Sequence, residues 1–281
     1  MKLTNYNSKT FKKNMKSKQY KKKFNKLSKK KKNYKFIING SGNVKQDTIN
    51  KDRIIRTSSA EVKNQGKEKT CYAFACATAL KTALTKIDIM GHTSSMCIPS
   101  TEELKEKIEY IGERAYERMT RRAPTSNIFT IIRDKFIRTE NSDIIEKVLR
   151  EYPIYNKLIG KVYHTFEPDL VWDKVNDMIN ERTVVGVVYS VGMPRYIWRQ
   201  WNTKDVITIK HCEEPSEMID MDDYIGHAMA VVGCDEKNGE KTLIIKNSHG
   251  ESFGNGGFIE VAFSALNAKP NVMSKYFIIE M

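Results

Sequence analysis

No Cys-x-x-Cys pair occurs in this sequence. Its five cysteines, Cys71, Cys76, Cys97, Cys212 and Cys234, are odd in number and lack metal-finger spacing. That excludes a zinc module and does not suggest a disulfide-stapled secreted framework, so no metal or other cofactor is expected. Long apolar runs are also missing. None approaches the roughly 20 residues of a membrane span, and the first thirty residues lack the continuous apolar core of a signal peptide. The expectation is a soluble protein in a reducing, intracellular compartment, with no transmembrane segment.

Acidic residues are nearly absent from the first fifty positions, which hold 16 lysines and one acid, Asp47, a net charge of +15. The other 231 residues carry 32 basic and 33 acidic side chains, so the body is nearly neutral and the pI of about 9.4 belongs to the tail. Like charges this dense repel one another and bury nothing, which predicts a lysine-rich, disordered arm over residues 1–50. The alternative is a functional tail for an acidic partner, a nucleic acid or an anionic membrane surface, with runs such as Lys29 to Lys32 supplying the contact.

The 281-residue length allows one large domain or two small ones, and the body is expected over 51–281. After Thr70, an N-cap residue type, CYAFACATALKTALTKI has helical spacing in Phe74, Ala77, Leu80, Leu84 and Ile87 and meets Gly91. Ser100 to Glu103 form a capping box that opens a second helix to about Met119. Further helices are predicted near 127–137, over 142–151, and from Pro168, a good first helical residue, to Asn180. The period then changes. TVVGVVYSV, HAMAVVGCD, TLIIKNS, GFIEVAF and KYFIIEM read as strands separated by turn formers such as Gly254-Asn255-Gly256-Gly257. Helices over about 65–181 followed by antiparallel strands over 182–281 predict an α+β fold.

Three distant stretches carry complementary polar groups: VKNQGKEKTCYAFA around Cys71, GHAMAVVGC around His227 and IIKNSHGESFGNGGF around Asn247. A thiol attacks a carbonyl as thiolate, so it needs an imidazole to hold its proton, and the imidazole needs an acceptor to fix its tautomer. Cys71 at a helix start gains from the positive end of that helix. Gln65, six positions earlier in a loop, offers an amide to an oxyanion. Each residue also has a plainer reading. A cysteine is often a small buried hydrophobe, the role expected of Cys76, Cys97 and Cys234. A histidine at a strand start is commonly structural, an asparagine at a strand-to-turn junction is commonplace, and Gln65 could be an exposed loop residue. Their combination and order favour chemistry.

At these residues the sequence resembles the papain family of cysteine peptidases, in the Gln-to-Cys spacing, Cys71-Tyr72-Ala73-Phe74, the strand at the histidine and IIKNS-x-GESFGNGGF. The resemblance implies a two-subdomain fold, with Cys71 on a helical part, His227 and Asn247 on an antiparallel β-barrel-like part, and an active-site cleft between them. It also implies roles: Cys71 nucleophile, His227 general base and acid, Asn247 its orienting partner, Gln65 oxyanion donor. The chain departs from the family where Glu68 replaces a disulfide cysteine and where His249 replaces the tryptophan that shields the His–Asn hydrogen bond. His249 is then either a planar filler or an added titrating group. The expected activity is peptide-bond hydrolysis through a Cys71 thioester, acting on peptide or protein substrates. Alternatives are a catalytically weak or inactive papain-fold binding protein and a transferase that resolves the thioester with another acceptor.

Overall fold

The computed structural model describes residues 49–55, 62–89, 100–120, 142–213, 224–237 and 239–281. The arm up to residue 48, the helix expected at 127–137 and Cys97 lie outside them. Its elements in chain order are α1 (Cys71–Ile89), α2 (Thr101–Thr120), α3 (Ser142–Arg150), α4 (Pro153–Leu158), β1 (Lys161–Thr165), α5 (Pro168–Ile179), β2 (Val185–Pro194), α6 (Arg195–Gln200), β3 (Tyr224–Lys237), β4 (Glu240–Lys246), β5 (Phe258–Ala262), α7 (Phe263–Leu266) and β6 (Met273–Glu280). The α+β class holds.

Local rules account for the predicted helices. Ser100 and Glu103 form the expected box, each backbone N–H donating to the other's side chain at 3.3 and 3.1 Å. Pro168 occupies the first turn of α5, where its missing N–H costs nothing. Apolar residues at spacings of three and four place Leu80, Ala83, Leu84 and Ile87 of α1 in the core.

One antiparallel sheet has the order β1-β6-β2-β3-β4-β5, with β1 and β5 at its edges. This corrects the simple order of helices followed by strands: β1 sits within the stretch read as mostly helical. Lys161–Thr165 is too short to announce itself by alternation, and it forms by pairing with β6, Val162 opposite Ile279. β3 begins at Tyr224, so His227 lies inside the strand instead of opening it. The central strands β2, β3 and β6 are apolar on both faces, as strands covered on two sides must be.

Helix α1 lies on β2 and β3. Gly186 makes the close approach possible, because a Cβ there would stand 2.7 Å from the Ala79 carbonyl oxygen. The N-terminal segment also reaches the sheet: Ile55 N–H donates to Val232 O at 2.9 Å, and the Arg53 side chain donates to Cys234 O at 3.1 Å. No helix among the described residues is long and apolar enough to cross a membrane.

Candidate active site

Cys71 is the first residue of α1, which has no acidic residue in its first turn. The Thr70 carbonyl accepts from Ala73 and Phe74 at 2.9 and 3.3 Å. The Thr70 hydroxyl, although buried, has no hydrogen-bond partner among the described residues, so the expected side-chain cap is absent. The positive end of α1 is therefore left uncompensated by its own first turn, a setting that favours an anion at Cys71. Among the four described cysteines only Cys71 is partly exposed. Burial, with negative charge at Cys71, pushes Cys76 up to about 12, and burial drives Cys212 up to about 11 and Cys234 up to about 12. Tyr72 is fully buried and its hydroxyl donates to Glu109 at 2.6 Å, tying α1 to α2.

The register of β3 on β4 builds the second part. Ala230 is opposite Lys246, and continuing that antiparallel count puts residue 249 opposite 227, with residue 247 diagonal to it on the same face. The side chains meet accordingly. His227 Nε2 lies 2.7 Å from Asn247 Oδ1, and the His227 and His249 rings stack with centroids 4.8 Å apart at 12°. Asn247 Oδ1 also accepts from the Ser248 N–H at 2.8 Å, which fixes that atom as the oxygen. Nε2 of His227 is then the protonated nitrogen, and Nδ1 presents a lone pair.

Burial lowers the proton affinity of His227 to a pKa of about 4, offset in part by the Asn247 bond and reinforced by His249. His249, half-buried, is also lowered by burial. Trp198 of α6 closes the cluster, its ring 4.8 Å edge-on to His227 and stacked at 5.0 Å on Phe253. Sequence reading missed Trp198. Its helix α6 is six residues long, and Ile197 and Trp201 supply the buried positions, so no local pattern ties Trp198 to a histidine 29 positions away.

The third part joins residues about 183 positions apart. Gln65 N–H donates to Ser248 O at 2.8 Å, Gly250 N–H to Lys63 O at 3.1 Å, and Asn64 bridges His249, so the loop before Cys71 is annealed to the segment after β4. The Gln65 amide is held at both ends: Oε1 accepts from the Ser248 hydroxyl, and Nε2 donates to Glu68 O at 2.7 Å. One hydrogen of that NH2 remains to be placed. Glu68 itself pairs with Lys105 of α2 at 3.6 Å, an exposed contact of small energetic value. The structure thus brings Gln65, Ser248, Asn247, His227 and His249 together, and Cys71 follows Gln65 by six residues onto the helix that lies on β3.

Residues 199–276 match the family model of the papain family cysteine proteases. This stretch is similar to that family. The matched span carries His227 and Asn247, whereas Gln65 and Cys71 precede it. No curated protein matches this sequence. Among solved structures, procathepsin L2 from Tenebrio molitor larval midgut is 18% identical with a TM-score of 0.44, over 78% of this chain and 64% of that one. The bromelain protease of Ananas comosus, in complex with E64, is 14% identical with a TM-score of 0.44, over 80% and 95%. The Carica candamarcensis cysteine protease CMS1MS2, in complex with E-64, is 16% identical with a TM-score of 0.45, over 80% and 96%. The chain thus spans 64% of the length of the procathepsin. Among the described residues no group of three His, Cys, Asp or Glu side chains is arranged to hold a metal ion.

Proposed function

We propose that this papain-like chain hydrolyses peptide bonds, using Cys71 as nucleophile in a cleft between its helical part and its β part. His227 Nδ1 takes the thiol proton as sulfur attacks the carbonyl carbon. The resulting oxyanion is met by Gln65 Nε2–H and the Cys71 N–H. When the tetrahedral intermediate collapses, the C–N bond breaks and His227 returns the proton to the leaving amine. Water then attacks the thioester while His227 takes its proton, which releases the acid and restores the thiol.

The observation that carries this reading is the 2.7 Å hydrogen bond from His227 Nε2 to Asn247 Oδ1, since it assigns the tautomer whose Nδ1 can act as a base. The test is mass spectrometry after the thiol-directed epoxide E-64, alongside peptide turnover by wild type and Cys71→Ala. Modification confined to Cys71 and loss of turnover in the variant are expected. Modification of Cys76, Cys212 or Cys234 in preference to Cys71 contradicts the reading.

A second reading is favoured by the low proton affinity of His227, which disfavours a resting imidazolium at neutral pH. Under it the chain is a papain-fold binding protein with weak or no hydrolysis. Correctly folded protein that turns over nothing across a diverse peptide library decides for it.

A further inference from the structure

The departure at His249 places two imidazoles face to face, at 4.8 Å and 12°. An indole at this position would have no charge to gain. A second imidazole does, and at this separation two positive charges repel strongly in a site walled by Trp198 and Phe253. The two rings are unequally placed to take a proton. His227 is 7% exposed and its Nε2 is committed to Asn247, whereas His249 is less deeply buried.

We propose that His249 is a positioning residue that gates His227: neutral, it holds the His227 ring flat against it and leaves Nδ1 ready to take the Cys71 proton; protonated, it opposes a second positive charge on the stacked pair. As pH falls, His249 takes the first proton. His227 then becomes a poorer base before it is itself protonated, and sulfur loses its proton acceptor. The elements around the pair also carry other charged or titratable groups, among them Lys63 in the annealed loop, Cys71 on α1, Arg195, Tyr196 and Arg199 on α6, Tyr224 on β3, Lys246 on β4 and Glu251 in the following turn. The influences on His227 are burial, the Asn247 bond and His249; the influence on His249 is burial.

The consequence for reactivity rests on the proposed role of His227 as base, but the coupling between the rings does not. Both are read in the full-length protein. The histidine ring protons of wild type, His249→Phe and His249→Trp are titrated by NMR, and Cys71 alkylation by iodoacetamide is followed by mass spectrometry over the same pH range. Wild type is expected to titrate in two steps, His249 before His227. In both variants the His227 midpoint rises by about one pH unit or more, as the removal of a like charge at this distance requires. A raised midpoint also means that His227 is protonated, and lost as proton acceptor, at higher pH, so the acid limb of Cys71 alkylation moves to higher pH by a similar amount.

An unmoved His227 midpoint in both folded variants overturns the proposal, and so does uptake of the first proton by His227 in wild type. The wild-type titration decides the matter even if neither variant folds. If the rings couple as described while Cys71 stays unreactive at every pH, the gating of the pair stands and the peptidase reading fails.

Discussion

Asn247 Oδ1 accepts two hydrogen bonds, from His227 Nε2 at 2.7 Å and from the Ser248 backbone at 2.8 Å. The first orients the imidazole and the second orients the asparagine, so one oxygen transmits the geometry of the β4 terminus to the ring on β3. Asn247→Ala removes the acceptor and leaves a buried ring N–H unpaired, a loss of about 1–3 kcal/mol. In the proposed reaction kcat/KM is expected to fall by about 10- to 100-fold. Nitrogen chemical shifts of His227 are expected to show the loss of a single tautomer; a ring still wholly Nε2-protonated would contradict the assignment.

The Gln65 amide is anchored by Ser248 on one side and Glu68 on the other. Gln65→Ala deletes a donor aimed at a developing charge and is expected to lower kcat about 100-fold with KM little changed. Ser248→Ala leaves the donor in place but loosens it, so a smaller loss of only several-fold is expected, with about 1 kcal/mol of stability. Equal losses in the two variants would mean that Gln65 acts only as a structural link.

Thiol chemistry separates the cysteines. With Cys76 and Cys234 pushed up to about 12 and Cys212 up to about 11, their thiolates are scarce at neutral pH. One equivalent of iodoacetamide is expected to modify Cys71 ahead of these three, and peptide mapping gives the order directly.

Stability should depend on His227. Its folded pKa of about 4 lies below the ordinary 6.5, so the unfolded chain binds the proton more tightly. The contribution is full above pH 6.5 and is lost as pH falls toward 4, an effect on the order of 3 kcal/mol. Denaturant midpoints measured across that window are expected to fall for wild type and to fall less for His227→Phe. Parallel pH profiles for the two proteins would show that the ring is not the titrating group.

Gly186→Ala tests the seat of α1. The added methyl meets the Ala79 carbonyl, and overpacking of this kind costs roughly 1–3 kcal/mol. A lower unfolding temperature and slower Cys71 alkylation are expected together, because the same helix carries both. A variant as stable as wild type would show that α1 can shift without cost.

The sequence by itself determined the elements whose signals are local. The α1 periodicity, the Ser100–Glu103 box, Pro168 at a helix start and the apolar runs of β2, β3, β4, β5 and β6 could all be read within a short window. So could the candidate chemistry, since Cys71, His227, Asn247 and Gln65 announce themselves by type, order and local context. Tertiary structure alone decided what depends on partners distant in the chain. β1 exists because β6 pairs with it, and Trp198 reaches His227 only through the placement of a six-residue helix. The β3–β4 register determined that His249 would face His227 and that Asn247 would lie diagonal to it. A strand's side-chain pattern says which residues share a face, but which of them meet residues of another strand is a property of the pairing, and pairing is settled only when the whole sheet closes on its core.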